Sequence, residues 1–243
     1  MTVGLELSAS ALAALRATLV GLDPAVRESV ARDWARAAQF EHASIASFSR
    51  FSLELLAVGA PPELVEGAHR AALDEIRHAR LSFALASVYV GTPLGPGPLP
   101  IEPALFTAFE LTSAACSTVA EGCVAETLAA VEAEAAEAAA EPAAVKQVLA
   151  IIARDEAEHA ALAARFVRWA VELGGSETRS AVEAAFRSAI ARCHAESASS
   201  GVFDAELARH GRLVGPRRKT LRDRALEEVI APLAREICRP SIM

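Results

Sequence analysis

Residues 74–78 read Asp-Glu-Ile-Arg-His and residues 155–159 read Asp-Glu-Ala-Glu-His, so Asp-Glu-x-x-His occurs twice in the chain. On a helix, residues i and i+3 share a face, roughly 60° apart around the axis, so each Glu/His pair can reach one common point. A lone glutamate in a small or apolar stretch precedes each copy. Glu41 lies 34 residues before Glu75, and Glu121 lies 35 before Glu156. Each half of the repeat is thus a helix with one glutamate, a turn, and a helix with the motif. A chain built this way must bring the two halves together around something that offsets their charge.

The rest of the sequence supplies the helices. Ala, Leu, Glu and Arg dominate, aromatic residues make up only 5%, and no alternating pattern of strand type is present, which predicts an all-α fold. Asp23-Pro24 reads as N-cap and first turn of a long helix ending near Val58, before Gly59-Ala60-Pro61-Pro62. Pro62 opens a second helix, ending near Gly91. Pro103 opens a third and Pro142 a fourth, which stops at Gly174-Gly175. The short connections favour antiparallel neighbours, and the Pro/Gly-rich residues 91–101 suit a long crossover. The reading is a four-helix bundle with one long connection in the middle. A short helix over residues 8–20 precedes it. A fifth helix with a Ser180/Glu183 capping box and a sixth over residues 220–237 follow. Residues 1–175 form the bundle unit, and residues 176–243 an extension packed on it.

Folded as two antiparallel pairs, these helices place four carboxylates and two imidazoles in one core. Burying six such groups without a cation is expensive, so a metal is expected. Two divalent ions would balance four carboxylates, and mixed oxygen and nitrogen donors suit iron or manganese. Asp74 and Asp155 are placed to accept a hydrogen bond from the second ring nitrogen of a ligand histidine. Glu66 and His69 also form a Glu-x-x-His, but nine residues earlier and so about 180° around the same helix, with no preceding Asp and no partner copy.

This pattern resembles the ferritin-like di-iron carboxylate superfamily over about residues 24–173. Asp74-Glu75-Ile76-Arg77-His78 looks like the Asp-Glu-x-Arg-His signature of its oxygen-activating branch, with rubrerythrin-like proteins and single-chain tRNA hydroxylases as related alternatives. The resemblance implies Glu41, Glu75, His78, Glu121, Glu156 and His159 as ligands of two Fe ions, with Fe/Mn or Mn as variants. Glu75 and Glu156 would bridge, the four glutamates would act through the metals, and Arg77 would support the aspartates. It further implies an oxidoreductase using O2 as co-substrate, a monooxygenase or oxidase acting on a small-molecule or carrier-bound substrate. A ferroxidase or rubrerythrin-like peroxide scavenger is the alternative. In the second copy Glu158 stands where the family has arginine.

Glu126, five residues after Glu121, falls roughly 140° away on a regular helix; a π-bulge at Gly122 would swing it towards the site as an additional ligand. His42 points about 100° from Glu41. Tyr89 and Cys123 read as packing residues, as do Phe40, Ile45, Phe48, Leu85 and Leu128, which could also wall an apolar pocket. No flavin, nicotinamide or iron–sulfur motif is visible, so electrons would come from an external donor. A net charge of −7 makes nucleic acid a poor partner. The uncharged residues 81–101 carry too many prolines and glycines for a membrane span. Four cysteines without a Cys-x-x-Cys pair, and no basic-then-apolar leader, suit reduced thiols in the cytoplasm. A homodimer remains open as the assembly.

Overall fold

The computed structural model describes residues 7–102 and 110–239, and among these there is helix but no strand. Helix α1 spans Ala9–Thr18, α2 Pro24–Ala57, α3 Pro62–Val90, α4 Leu111–Thr118 and α5 Ala125–Ala139. Between α4 and α5 the chain continues as a π-wound segment, Val119–Val124. Helix α6 spans Ala143–Ala195, α7 Asp204–Arg209 and α8 Gly215–Ala225, which runs through π-wound Leu226–Ile230 into α9, Ala231–Ile237.

Local chemistry explains the ends. Asp23 Oδ1 accepts the Ala25 and Val26 N–H groups at 2.8 and 3.3 Å, and Pro24 supplies a preset first turn. Gly91, at φ +90°, takes the left-handed conformation that closes α3. Pro142 caps α6. Gly175 (φ +67°, ψ −147°) interrupts α6 where the fourth helix was expected to stop. The following helix starts directly after this glycine, so the Ser180/Glu183 capping box is not used: Ser180 lies inside the helix and its Oγ donates to the Ser176 carbonyl at 2.9 Å. The last helix begins at Gly215 rather than Thr220, with Pro216 in its first turn. The expected start of the third helix at Pro103 falls outside the described residues.

Helix α2 packs along α3, the α4–α5 run packs along α6, and α3 meets α6. After α3 the chain turns back beside α2: His42 Nε2 lies 3.2 Å from the Gly97 carbonyl oxygen, and the Leu94 N–H donates to Ser87 Oγ. Two apolar cores result. One gathers Phe48, Phe51, Leu55, Phe166 and Val167; the other gathers Val30, Trp34, Leu85, Tyr89 and Val148. The first also takes Leu226 and Ile230 from the C-terminal helices, and the second takes Leu15, Leu207 and Leu213. The two Asp-Glu-x-x-His repeats fall in the sequence gap between the two cores on α3 and α6. The one described stretch long and apolar enough to cross a membrane, Leu111–Ala139, is 44% buried over its most apolar window, as an interior helix would be.

Candidate metal centre

Six side chains converge between the cores. Helix α2 contributes Glu41, α3 contributes Glu75 and His78, α5 contributes Glu126, and α6 contributes Glu156 and His159. They form two overlapping groups. Glu41, Glu75, His78 and Glu156 make one; Glu75, Glu126, Glu156 and His159 make the other, with the donor atoms in each within 4.8 Å of one another. Glu75 and Glu156 belong to both because each turns one oxygen towards each histidine. His78 Nδ1 lies 3.7 Å from Glu75 Oε2, 3.4 Å from Glu156 Oε1 and 3.7 Å from Glu41 Oε2. His159 Nδ1 lies 3.2 Å from Glu75 Oε1, 3.5 Å from Glu156 Oε2 and 3.9 Å from Glu126 Oε2. Ligands held at about 2.1 Å from one octahedral ion are themselves about 3.0 Å or more apart, so these spacings admit an ion in each group.

Several of these polar atoms also lack a hydrogen bond. Both Glu75 oxygens, His78 Nδ1, Glu156 Oε2 and both His159 ring nitrogens are buried without a hydrogen bond. An unsatisfied buried polar atom costs about 1–3 kcal/mol. A cation in each group would remove that cost, and the donor set of carboxylates and imidazoles fits one.

The aspartates work crosswise. Asp155 Oδ2 accepts from His78 Nε2 at 2.9 Å, and Asp74 Oδ2 faces His159 Nε2 at 3.6 Å. Each motif's aspartate thus serves the other motif's histidine. With the Nε2 proton of His78 held by Asp155, its Nδ1 lone pair is left for the carboxylate side. Arg77 donates to both Asp74 and Asp155. This single arginine covers the gap left by Glu158, and Arg154, which the sequence did not single out, adds bonds of 2.8 and 3.0 Å to Asp155 Oδ1. Burial works to raise the Asp155 carboxyl, but His78, Arg154 and Arg77 outweigh it and hold it at about 2.

Glu121 is not part of either group. Its side chain is 51% exposed and pairs with Arg50, which also lies 3.5 Å from Glu54. The π-wound segment explains the exchange: its extra residue per turn turns Glu121 outwards and carries Glu126 into the interior. Gly122 permits this winding to lie against α6, since a Cβ there would come 2.4 Å from Ala163 Cβ. Cys123 is buried in the apolar core. The decoy residues Glu66 and His69 are on the exposed face of α3, Glu66 paired with Arg70. Tyr89 lies away from the cluster, its hydroxyl 2.9 Å from His210 Nδ1. Phe40 is not core but 65% exposed, whereas Phe48 sets its edge against the His159 ring at 4.9 Å.

In the metal-free protein the cluster holds protons. Burial pushes Glu41 up to about 7, and burial together with the neighbouring Glu156 raises Glu126 well above the carboxylate range. Burial opposes charge on His78 and His159, but Asp155 and Asp74 respectively, with the facing glutamates, raise both strongly. A metal ion bound there would have to displace these protons. Divalent-ion affinity should therefore weaken as pH falls through about 7, where Glu41 becomes protonated, and loading at pH 7 should release protons. Calorimetric titration in buffers of different ionisation enthalpy measures both; pH-independent binding would contradict the assignment.

Comparison of the chain with protein-family models, curated proteins and solved structures gave no match.

Proposed function

We propose that this protein is a cytoplasmic non-haem di-iron oxidoreductase that activates O2 to oxidise a small or carrier-bound organic substrate. In this reading α2, α3, α4–α5 and α6 up to Gly175 form a ferritin-like four-helix bundle. The observation that carries the proposal is the pair of overlapping Glu/His groups that share Glu75 and Glu156, buried and without other partners. Two Fe(II) ions bound there would supply reducing equivalents for O2 activation, with an external donor restoring them.

The chain's own residues define the rest. Glu75 and Glu156 span the two groups and fix their spacing. Asp155 and Arg77 hold His78 in one tautomer and orientation. A cavity of about 230 Å³ opens beside Glu126, walled by Phe48, Phe51, Thr118 and Ala125. With Arg50, Glu54 and Glu121 at its rim, it leaves room for an organic substrate beside the cluster, which favours an oxygenase over iron storage. The free cysteines suit a reducing compartment.

Anaerobic protein loaded with Fe(II) tests the reading. On mixing with air, oxygen should be consumed faster than by the same iron in buffer, and bound iron should stay near two per chain through repeated cycles of reductant and O2. Uptake of many irons per chain would instead establish the iron-handling alternative. Fe(II) oxidised no faster than in buffer would remove both.

A further inference from the structure

A second cavity, of about 280 Å³, lies on the other side of Glu126 and shares Ser44, Ala125 and Glu126 with the first. Glu41, Glu126 and Glu156 line it from the cluster, and Arg212 and Trp34 line it from outside. We propose that Arg212 anchors the carboxylate of an organic acid substrate bound in this cavity; this rests on the di-metal reading above.

Arg212 belongs to the turn after α7, and that turn is fixed from several sides. The Trp34 indole N–H donates to the His210 carbonyl at 3.1 Å, and His210 Nδ1 meets the Tyr89 hydroxyl. Gly211 has φ +78°, and a Cβ there would come 2.4 Å from Val145 Cγ1, so only glycine allows the turn this close. The Arg212 N–H donates to the Leu207 carbonyl at 2.8 Å. The guanidinium then lies over the Trp34 ring, its Cζ 4.9 Å from the centroid.

What this guanidinium lacks is a direct ion-pair partner: Asp33, Glu132 and Glu41 act on its charge only from beyond hydrogen-bond distance. Its Nε is buried without a hydrogen-bond partner, and no described carboxylate comes within ion-pair distance of it. The nearby basic residues are already engaged: Arg218 and Arg222 both bind Glu132 at 2.8 Å. With Glu41, Glu126 and Glu156 committed to metal, Arg212 is the cavity-lining cation without a direct ion pair. A half-buried cation without a direct partner is poorly compensated, and its planar fork matches a carboxylate in a two-point hydrogen bond. An acid held there would extend its carbon chain past Glu126 towards the apolar walls of the first cavity. The C-terminal extension would in this way complete the substrate site.

The test uses metal-loaded full-length protein with octanoate and its neutral counterpart, octanamide, measured by calorimetry and by Trp34 emission in a Trp169→Phe background. Octanoate should bind saturably and octanamide about tenfold or more weakly. Arg212→Gln should bring octanoate down to the amide's level with both ions retained, and Arg212→Lys should fall between. Octanoate affinity unchanged in Arg212→Gln, or no saturable octanoate binding to the wild type, overturns the proposal. A loss of metal in Arg212→Gln with octanoate affinity unchanged would make the residue a charge balance for the cluster, which also overturns it. Metal content is read in the same samples, so failure of the di-metal reading shows separately as absent ions.

Discussion

Glu75→Ala should abolish binding of both ions, taking metal content from about two per chain to none. Glu75 is 1% exposed, and its two oxygens face different histidines, so each group loses a donor at once. Loss of the hydrogen-bonding support around a metal ligand already weakens binding roughly 10–100-fold. Loss of a shared ligand together with its charge should exceed that at both positions. Stability reports the same event. An ion present at 100 times its Kd stabilises a fold by about 2.7 kcal/mol, and one kcal/mol moves the melting temperature by about 2–4 °C at this chain length. Metal addition should therefore raise the wild-type Tm by roughly 5–10 °C per ion and leave Glu75→Ala unmoved. Glu75→Gln, which keeps the shape, separates loss of charge from the cavity an alanine creates. Retention of two ions by either variant would show that Glu75 is not shared.

Glu126→Ala should remove the ion next to His159 and spare the ion next to His78, while Glu121→Ala leaves both. The contrast follows from the π-wound turn. Glu126 is 14% exposed and faces His159, whereas Glu121 is 51% exposed and bound to Arg50. Metal analysis should give about one ion per chain for the first variant and two for the second. Gly122→Ala offers a third arm, since its new methyl would strike Ala163 and force the winding to change. The reverse pattern, with Glu121→Ala losing an ion, would place Glu121 back among the ligands.

Glu126 also marks the boundary of what the sequence makes legible. Glu41, Glu75, His78, Glu156 and His159 lie on regular helices, so spacing puts each Glu/His pair on one face and the repeat pairs each with an upstream glutamate. The α2, α3 and α6 starts follow from Asp23-Pro24, Pro62 and Pro142, whose effects are local. Glu126 depends instead on a change of helical winding, held where Gly122 packs against Ala163, 41 residues away in the chain. Ser180 and Glu183 form a sound local signal that Gly175 makes irrelevant, because the helix has already begun after its φ of +67°. Phe40 is apolar yet exposed because it sits beside the cavity rather than in either core. Arg212 was silent in the sequence for the same reason: its placement comes from Trp34, Tyr89 and Val145 acting on one turn.

Anomalous diffraction at the iron edge from crystals of iron-loaded protein tests the central claim most directly. The account predicts two iron positions per chain, one against Glu41 and His78 and the other against Glu126 and His159, with Glu75 and Glu156 touching both. A single ion, no ion, or Glu121 bound in place of Glu126 would contradict it.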